Sequence, residues 1–238
     1  MELETSRENE SANQPKDSLK TFLELLLESS KHGEGYGDLE LQEETLVIVL
    51  AGTDTSAVGA SFTALMLSLH DVFGDSDRAV TSEDLPRLKY LDAVIRETLR
   101  LYPPVPIINR KVEKDLVLPS GVTLVEGCGI IISIFAIHRN PEYWGEDAEL
   151  FRPERFLDIS LKHPAAFMPF SYGLRGCLGY QYAMMSMKTA IATLLRQYRL
   201  LPASNTKGVK EPLRLRFDVM MRHVDHFEIE IENRGENK

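Results

Sequence analysis

A cysteine, Cys177, stands in the segment Phe170-Ser-Tyr-Gly-Leu-Arg-Gly-Cys-Leu-Gly179, directly ahead of a long, Met-rich helical pattern. A thiolate needs surroundings that favour its charge. The unpaired N–H groups and positive dipole end of a helix starting near Gly179 would supply them at Cys177. Gly173, Gly176 and Gly179 leave room for the backbone to lie against a flat macrocycle and to reach φ values closed to other residues. Arg175 offers a guanidinium, which matches carboxylate geometry. Taken alone, the segment also describes a buried structural cysteine beside an ordinary turn.

Three further stretches hold residues that could act with it. Ala51-Gly-Thr-Asp-Thr-Ser56 lies in a pattern from about Leu39 to Leu69 with apolar and small residues on all faces, the mark of a helix buried in a large core. A membrane span is the competing reading, since Asp54 is the only charge between Thr45 and Leu69. A carboxylate at the bilayer centre costs roughly 2.5–3.5 kcal/mol, and the segment is rich in Ser, Thr and Gly, so the core helix is preferred. Within it, a Thr55 hydroxyl can bond the carbonyl of Ala51, loosening the helix and admitting water. Glu97-Thr-Leu-Arg100 closes the helical stretch Tyr90–Leu101 before Pro103 and Pro104 stop it. Glu97 and Arg100 share a helix face, which by itself describes a solvated surface pair. Val105-Pro-Ile-Ile-Asn-Arg110 reads as an apolar strand ending in a charge, and Phe151-Arg-Pro-Glu-Arg155-Phe156 supplies a further arginine.

The Cys177 loop resembles the haem-binding signature of cytochromes P450, Phe-x-x-Gly-x-Arg-x-Cys-x-Gly, at every fixed position, and the other stretches follow in that family's order. The resemblance implies a mainly α fold with small β-sheets. Its parts would be a long distal helix, a Glu-x-x-Arg helix, the cysteine loop with its following helix, and a C-terminal β-hairpin. It implies that Cys177 is the thiolate ligand of a haem iron, with Phe170, Gly173, Arg175 and Gly179 around the cofactor. Arg175 and Arg110 would meet haem propionates, and Gly52 would leave space for dioxygen. Asp54 and Thr55 would pass protons to it, while Ala51, Val105, Ile107 and Met220 would face substrate. Glu97, Arg100 and Arg155 would form a buried triad that holds the proximal loop in place.

The activity so implied is a monooxygenase reaction on an apolar small molecule. Electrons would come from NADPH through a separate cytochrome P450 reductase, as the chain carries no Gly-x-Gly-x-x-Gly dinucleotide fingerprint. Phe73-Gly-Asp-Ser-Asp, Glu83-Asp-Leu-Pro-Arg-Leu-Lys-Tyr90 and Met184-Met-Ser-Met-Lys188 look most like insect microsomal members related to family 4. That likeness implies the cytosolic face of the endoplasmic reticulum membrane. Many family 4 fatty-acid hydroxylases have a Glu esterified to haem where this chain has Ala51, so a noncovalent haem b is expected here.

At 238 residues the chain can form one substantial domain or two small ones, and 43% hydrophobic residues can bury a core. The net charge of −9 argues against general affinity for nucleic acid. Two cysteines make no disulfide framework, and Cys128, in an apolar strand-like run, is expected to be buried and inert.

Residues 1–18 read as a polar tail without the apolar core of a signal peptide, and residues 19–238 as the C-terminal, haem-binding part of a P450 domain. Helical periodicity starts near Leu19, and Gly33, Gly35 and Gly37 interrupt it. Thr123–Ile137 reads as strand, His138–Tyr143 as loop, Tyr180–Tyr198 as helix and Pro212–Ile231 as a terminal hairpin. Lys188, Arg196 and Arg199 would face an acidic redox partner or merely solvent. Relative to the family, the N-terminal half with its anchor is expected to be missing, and at His70-Asp71 a helix of about a dozen residues also. A catalytically inactive remnant is therefore the rival reading. An unrelated helical interaction protein would leave the ordered motifs unexplained.

Overall fold

A computed structural model describes residues 20–31, 36–69, 88–157, 162–204 and 213–234. The polar tail, the His70-Asp71 junction and the segments starting at Phe73 and Glu83 lie outside the described residues, apart from Leu88, Lys89 and Tyr90. Two compact units are present, Met1–Ala51 and Gly52–Lys238, and the division falls inside the long helix.

The first unit holds α1 (Phe22–Lys31) and the start of α2 (Asp38–Leu69). The Gly37 N–H donates to the Glu40 carboxylate, which satisfies one free donor at the start of α2. By length and composition alone α2 could cross a membrane, an 18-residue stretch within Asp38–Ser68 having a mean hydropathy of 1.4. Its burial is uneven: Leu46, Val47, Ile48, Val49 and Leu50 are exposed, while Val58, Phe62, Ala64, Leu65, Met66 and Leu67 are buried. The expectation of a helix covered along its whole length thus holds only from Val58 onward.

The second unit is built on α3 (Lys89–Leu101) and α6 (Tyr180–Gln197). Buried residues of α3 recur as Leu91, Val94, Ile95 and Leu99, those of α6 as Met184, Met187, Ile191 and Ala192, each set forming one face. Together with Ala64 and Leu67 of α2 and Leu200 they make the main core. Gly59 sets the approach of α2 to α6, because a Cβ there would lie 2.8 Å from Met187 Sδ. A second cluster joins Val58 and Phe62 to Met221, with the Tyr102 ring stacked on Phe62 at 5.0 Å. A third gathers Trp144, Ala148 and Ala166 around Phe156 and Phe167.

Among the described residues the strands pair into four two-stranded antiparallel sheets. β1 (Ile107–Lys111) pairs with β4 (Gly129–Ser133), and β2 (Leu116–Val117) with β3 (Thr123–Leu124). The stretch expected to be strand through Ile137 turns helical at α4 (Ile134–Ile137), because the Ser133 hydroxyl accepts the Ala136 N–H and caps a helical turn. Likewise α5 (Pro141–Trp144) replaces part of the expected loop, capped by Asn140 with Pro141 in its first turn.

The terminal hairpin is shorter than expected. β6 (Leu215–Phe217) pairs with β7 (Met221–His223), but β8 (Ile229–Asn233) pairs with β5 (Tyr198–Pro202), the strand leaving α6. Cys128 is free and half-buried where burial was expected. It sits in the turn before β4, its N–H donating to Val125 and its carbonyl accepting from Val112.

Candidate active site

The Cys177 loop is fixed from within. The Cys177 N–H donates to the Phe170 carbonyl at 2.8 Å, and the Phe170 ring packs edge-on to Tyr180 in the first turn of α6 at 4.7 Å. Gly173 has φ +77°, a left-handed conformation that costs an L side chain roughly 1–2 kcal/mol. A Cβ at Gly176 would crowd the Gly173 carbonyl at 3.1 Å. The loop therefore needs its glycines for shape, and it leaves Cys177 exposed, with Leu174 and Leu178 projecting outward beside it. At Gly179 an added Cβ would come within 4.0 Å of Cys177 Sγ and of nothing else. Arg175 is exposed as well.

Arg110 joins this loop from β1. Its Nη2 donates to Ser171 Oγ at 3.1 Å, and Ser171 itself holds φ +64° although it is not glycine. The distal residues are on α2. Gly52 faces open space, Asp54 and Thr55 are half-buried, and the Asp54 carboxylate accepts from Arg222 in β7 at 2.8 and 2.9 Å. Of the expected substrate-facing residues, Ala51 and Ile107 are exposed, and Val105 and Met220 are half-buried. Met221, next to Met220, is fully buried against Val58 and Phe62 and belongs to the core.

Glu97, Arg100 and Arg155 are brought together and none reaches solvent appreciably. Arg100 finds an acceptor for each of its N–H groups: Nε and Nη2 on the Glu97 carboxylate at 2.7 Å, and the rest on the carbonyls of His138, Ala148 and Leu150. Glu97 also accepts the Arg152 N–H, so the helix grips the segment that carries Arg155. Arg155 lies 3.5 Å from Glu97 and donates to the carbonyls of Trp144 and Asp147. A solvated surface pair is excluded for Glu97–Arg100, since both side chains are fully buried.

His138 is a residue that the sequence did not single out. Its Nδ1 meets the Arg100 carbonyl at 3.0 Å and its Nε2 accepts the Met168 N–H at 2.8 Å, which requires the neutral ring with the proton on Nδ1. Burial is the main cause that pushes its pKa down to about 3. The basic residues of α6 and of β5 after it, where Arg199 lies, are partly engaged. Lys188 is paired with Asp92 of α3, and Arg199 lies 3.9 Å from Glu232. Burial works to raise the Asp92 carboxyl, but hydrogen bonds from Lys188 and Arg96 outweigh it and hold it below its ordinary value.

A long helix, a Glu-x-x-Arg helix tied to a following arginine, and an exposed cysteine ahead of a core helix are the parts that the resemblance implies. The cytochrome P450 family model matches residues 2–225, and the chain belongs to the cytochrome P450 family. It is 37% identical to cytochrome P450 4V2 of Mus musculus over 93% of this chain and 44% of the relative. It is 34% identical to cytochrome P450 4g15 of Drosophila melanogaster over 90% of this chain and 39% of the relative. The chain thus spans about two fifths of the length of these curated relatives. A cytochrome P450 crystal structure superposes with a TM-score of 0.76 at 22% identity, covering 98% of this chain and 55% of that one, which shows a partial P450 fold.

Family membership implies haem with a cysteine thiolate ligand. The residues present fit that group. Cys177 is a free, exposed thiol, the neighbouring leucines offer apolar surface, the glycine loop keeps Cβ atoms away, and Arg110 brings a cation to the same loop.

Proposed function

We propose that this chain is the haem-binding part of a haem-thiolate monooxygenase. The observation that carries the reading is Cys177, held exposed at the start of α6 by its N–H bond to Phe170 and by the left-handed turn at Gly173. The bound haem would supply activation of dioxygen, with one oxygen atom inserted into an apolar small molecule and the other leaving as water.

The chain's own residues would do the rest. Cys177, just ahead of α6, would be the ligand of the haem iron. Phe170, Gly173 and Gly179 shape its loop, and Arg110 and Arg175 would meet the carboxylates of the cofactor. Ala51 has no group that could form an ester, so the haem would be held noncovalently. Asp54 and Thr55 would hold and move protons beside Gly52, while Ala51, Val105, Ile107 and Met220 would touch substrate. Glu97, Arg100 and Arg155 would keep the segment before the loop in place. NADPH would act through cytochrome P450 reductase, at the cytosolic face of the endoplasmic reticulum membrane.

An inactive remnant of such an enzyme is the second reading. The two readings separate on the reconstituted chain. A red-shifted thiolate-type Soret band on reduction with carbon monoxide, lost in Cys177→Ser, is expected for the haem site; its absence sinks that site. NADPH-driven product formation with added reductase then distinguishes an enzyme from a haem-binding remnant.

A further inference from the structure

One ion pair outside the expected site ties the distal helix to the last hairpin. Arg222 Nη2 lies 2.9 Å from Asp54 Oδ1 and 2.8 Å from Oδ2, with the two side chains 40% and 39% exposed. Strand β7 is anchored where it presents Arg222. The Met221 N–H donates to the Pro104 carbonyl at 2.9 Å, and the buried Met221 side chain packs on Val58 and Phe62, a turn or two beyond Asp54 on α2. Alternation along the strand puts Met221 and His223 inward and Arg222 on the opposite face.

Across the hairpin the partner of Arg222 is Arg216. Like charges directly opposite are destabilising, so hairpin stability alone does not explain the pair. Each arginine has its own carboxylate: Arg216 meets Asp218 at 2.8 Å, inside the hairpin, and Arg222 reaches out to Asp54.

The hairpin tip is apolar and outward. Val219 is 91% exposed and Phe217 53%, and Met220 stands two residues from Arg222. A carboxylate offers about four acceptor positions, and one Arg222 nitrogen bridging both oxygens leaves the others for a proton carrier. Resting on the reading of Asp54 as a proton-handling group, we propose that Arg222 is its positioning residue. Through Arg222, contact of an apolar substrate with the tip around Met220 sets where the Asp54 carboxylate stands.

The test uses the full chain reconstituted with haem and reductase, with dodecanoic acid as the probe substrate. Arg222→Gln is expected to keep the carbon monoxide Soret band. It should raise the ratio of hydrogen peroxide released to product formed by about tenfold, and alter the solvent isotope effect on product formation, as for loss of part of a general acid–base contribution. Arg222→Lys should restore part of both. In urea unfolding without turnover, Asp54→Asn and Arg222→Gln should couple by up to about fivefold in the equilibrium constant. If Asp54→Asn shifts the peroxide ratio and isotope effect while Arg222→Gln moves neither, the proposal is overturned and the reading of Asp54 stands. If the wild type gives no product, or Asp54→Asn changes nothing, that reading falls and the role of Arg222 with it.

Discussion

Arg100 and Glu97 meet through two parallel hydrogen bonds of 2.7 Å, with neither side chain exposed to solvent. Removing one partner leaves an uncompensated buried charge, and such losses cost about 3–5 kcal/mol. Glu97→Ala and Arg100→Ala are each expected to lose about that much in urea unfolding. Arg100→Lys should recover little of it, because an ammonium cannot serve Glu97 and the carbonyls of His138, Ala148 and Leu150 at once.

His138 gives the fold a pH dependence of definite sign. Burial is the largest cause of its depressed pKa and the charge of Arg100 adds to it, while the bond to the Arg100 carbonyl works the other way. The folded ring titrates near pH 3, whereas in the unfolded chain it titrates near 6.5. Between those values the unfolded state binds more protons, so stability rises with pH. The contribution is therefore whole above about pH 6.5 and lost as pH falls toward 3, on the order of 5 kcal/mol in all. Urea midpoints followed from pH 7 to pH 4 should show this slope. His138→Phe should flatten that part of it, from a lower starting stability, because the Met168 N–H loses its acceptor.

Gly59 tests how α2 and α6 meet. The atom facing it is the sulfur of Met187, the flexible part of a long side chain, so Gly59→Ala should be nearly neutral: the sulfur shifts, and alanine adds up to about 1 kcal/mol of helix propensity. Gly59→Leu meets Leu99 and Pro104 as well and should cost about 1–3 kcal/mol. Met187→Ala added to Gly59→Leu should return part of that loss, as measured by thermal unfolding.

Periodicity made α3 and α6 legible, since each buries one continuous face, and the motif order placed Glu97, Arg100, Arg155 and Cys177 in one family. The burial of α2 was not legible, because its apolar residues surround the helix and composition cannot say which turns find neighbours. Ser133 and Asn140 do carry the N-cap chemistry that starts α4 and α5, a local signal masked at Ser133 by the apolar run beside it and at Asn140 by a loop-like stretch that holds a single helical turn. The pairing of β8 with β5 depends on register between distant strands, and no turn chemistry announces it. The contact of Arg222 with Asp54 lies still further out, between residues 168 positions apart. Arg110 on Ser171 is of the same kind, although a serine inside a glycine-rich loop was the place to look.

Gly173 separates loop shape from core stability. Its φ of +77° is open to glycine and strained for alanine, and nothing lies within 4 Å of an added Cβ, so Gly173→Ala acts through the backbone alone. The cost in the left-handed region is roughly 1–2 kcal/mol. The loop can escape it by letting the turn open, because the side chains from Tyr172 to Leu178 are exposed and the ties of that stretch are few: the Gly176 N–H to Gly173 and the Cys177 N–H to Phe170. The main core of α3 and α6 involves none of these bonds. Gly173→Ala should therefore leave the urea midpoint of the bulk transition within about 0.5 kcal/mol of wild type, while haem loading, read as the carbon monoxide Soret amplitude at limiting haem, falls by about tenfold if the loop must regain its shape on binding. Gly173→Asn, which tolerates the left-handed region better, should fall less. Equal loading in all three proteins would show that Cys177 does not depend on this turn.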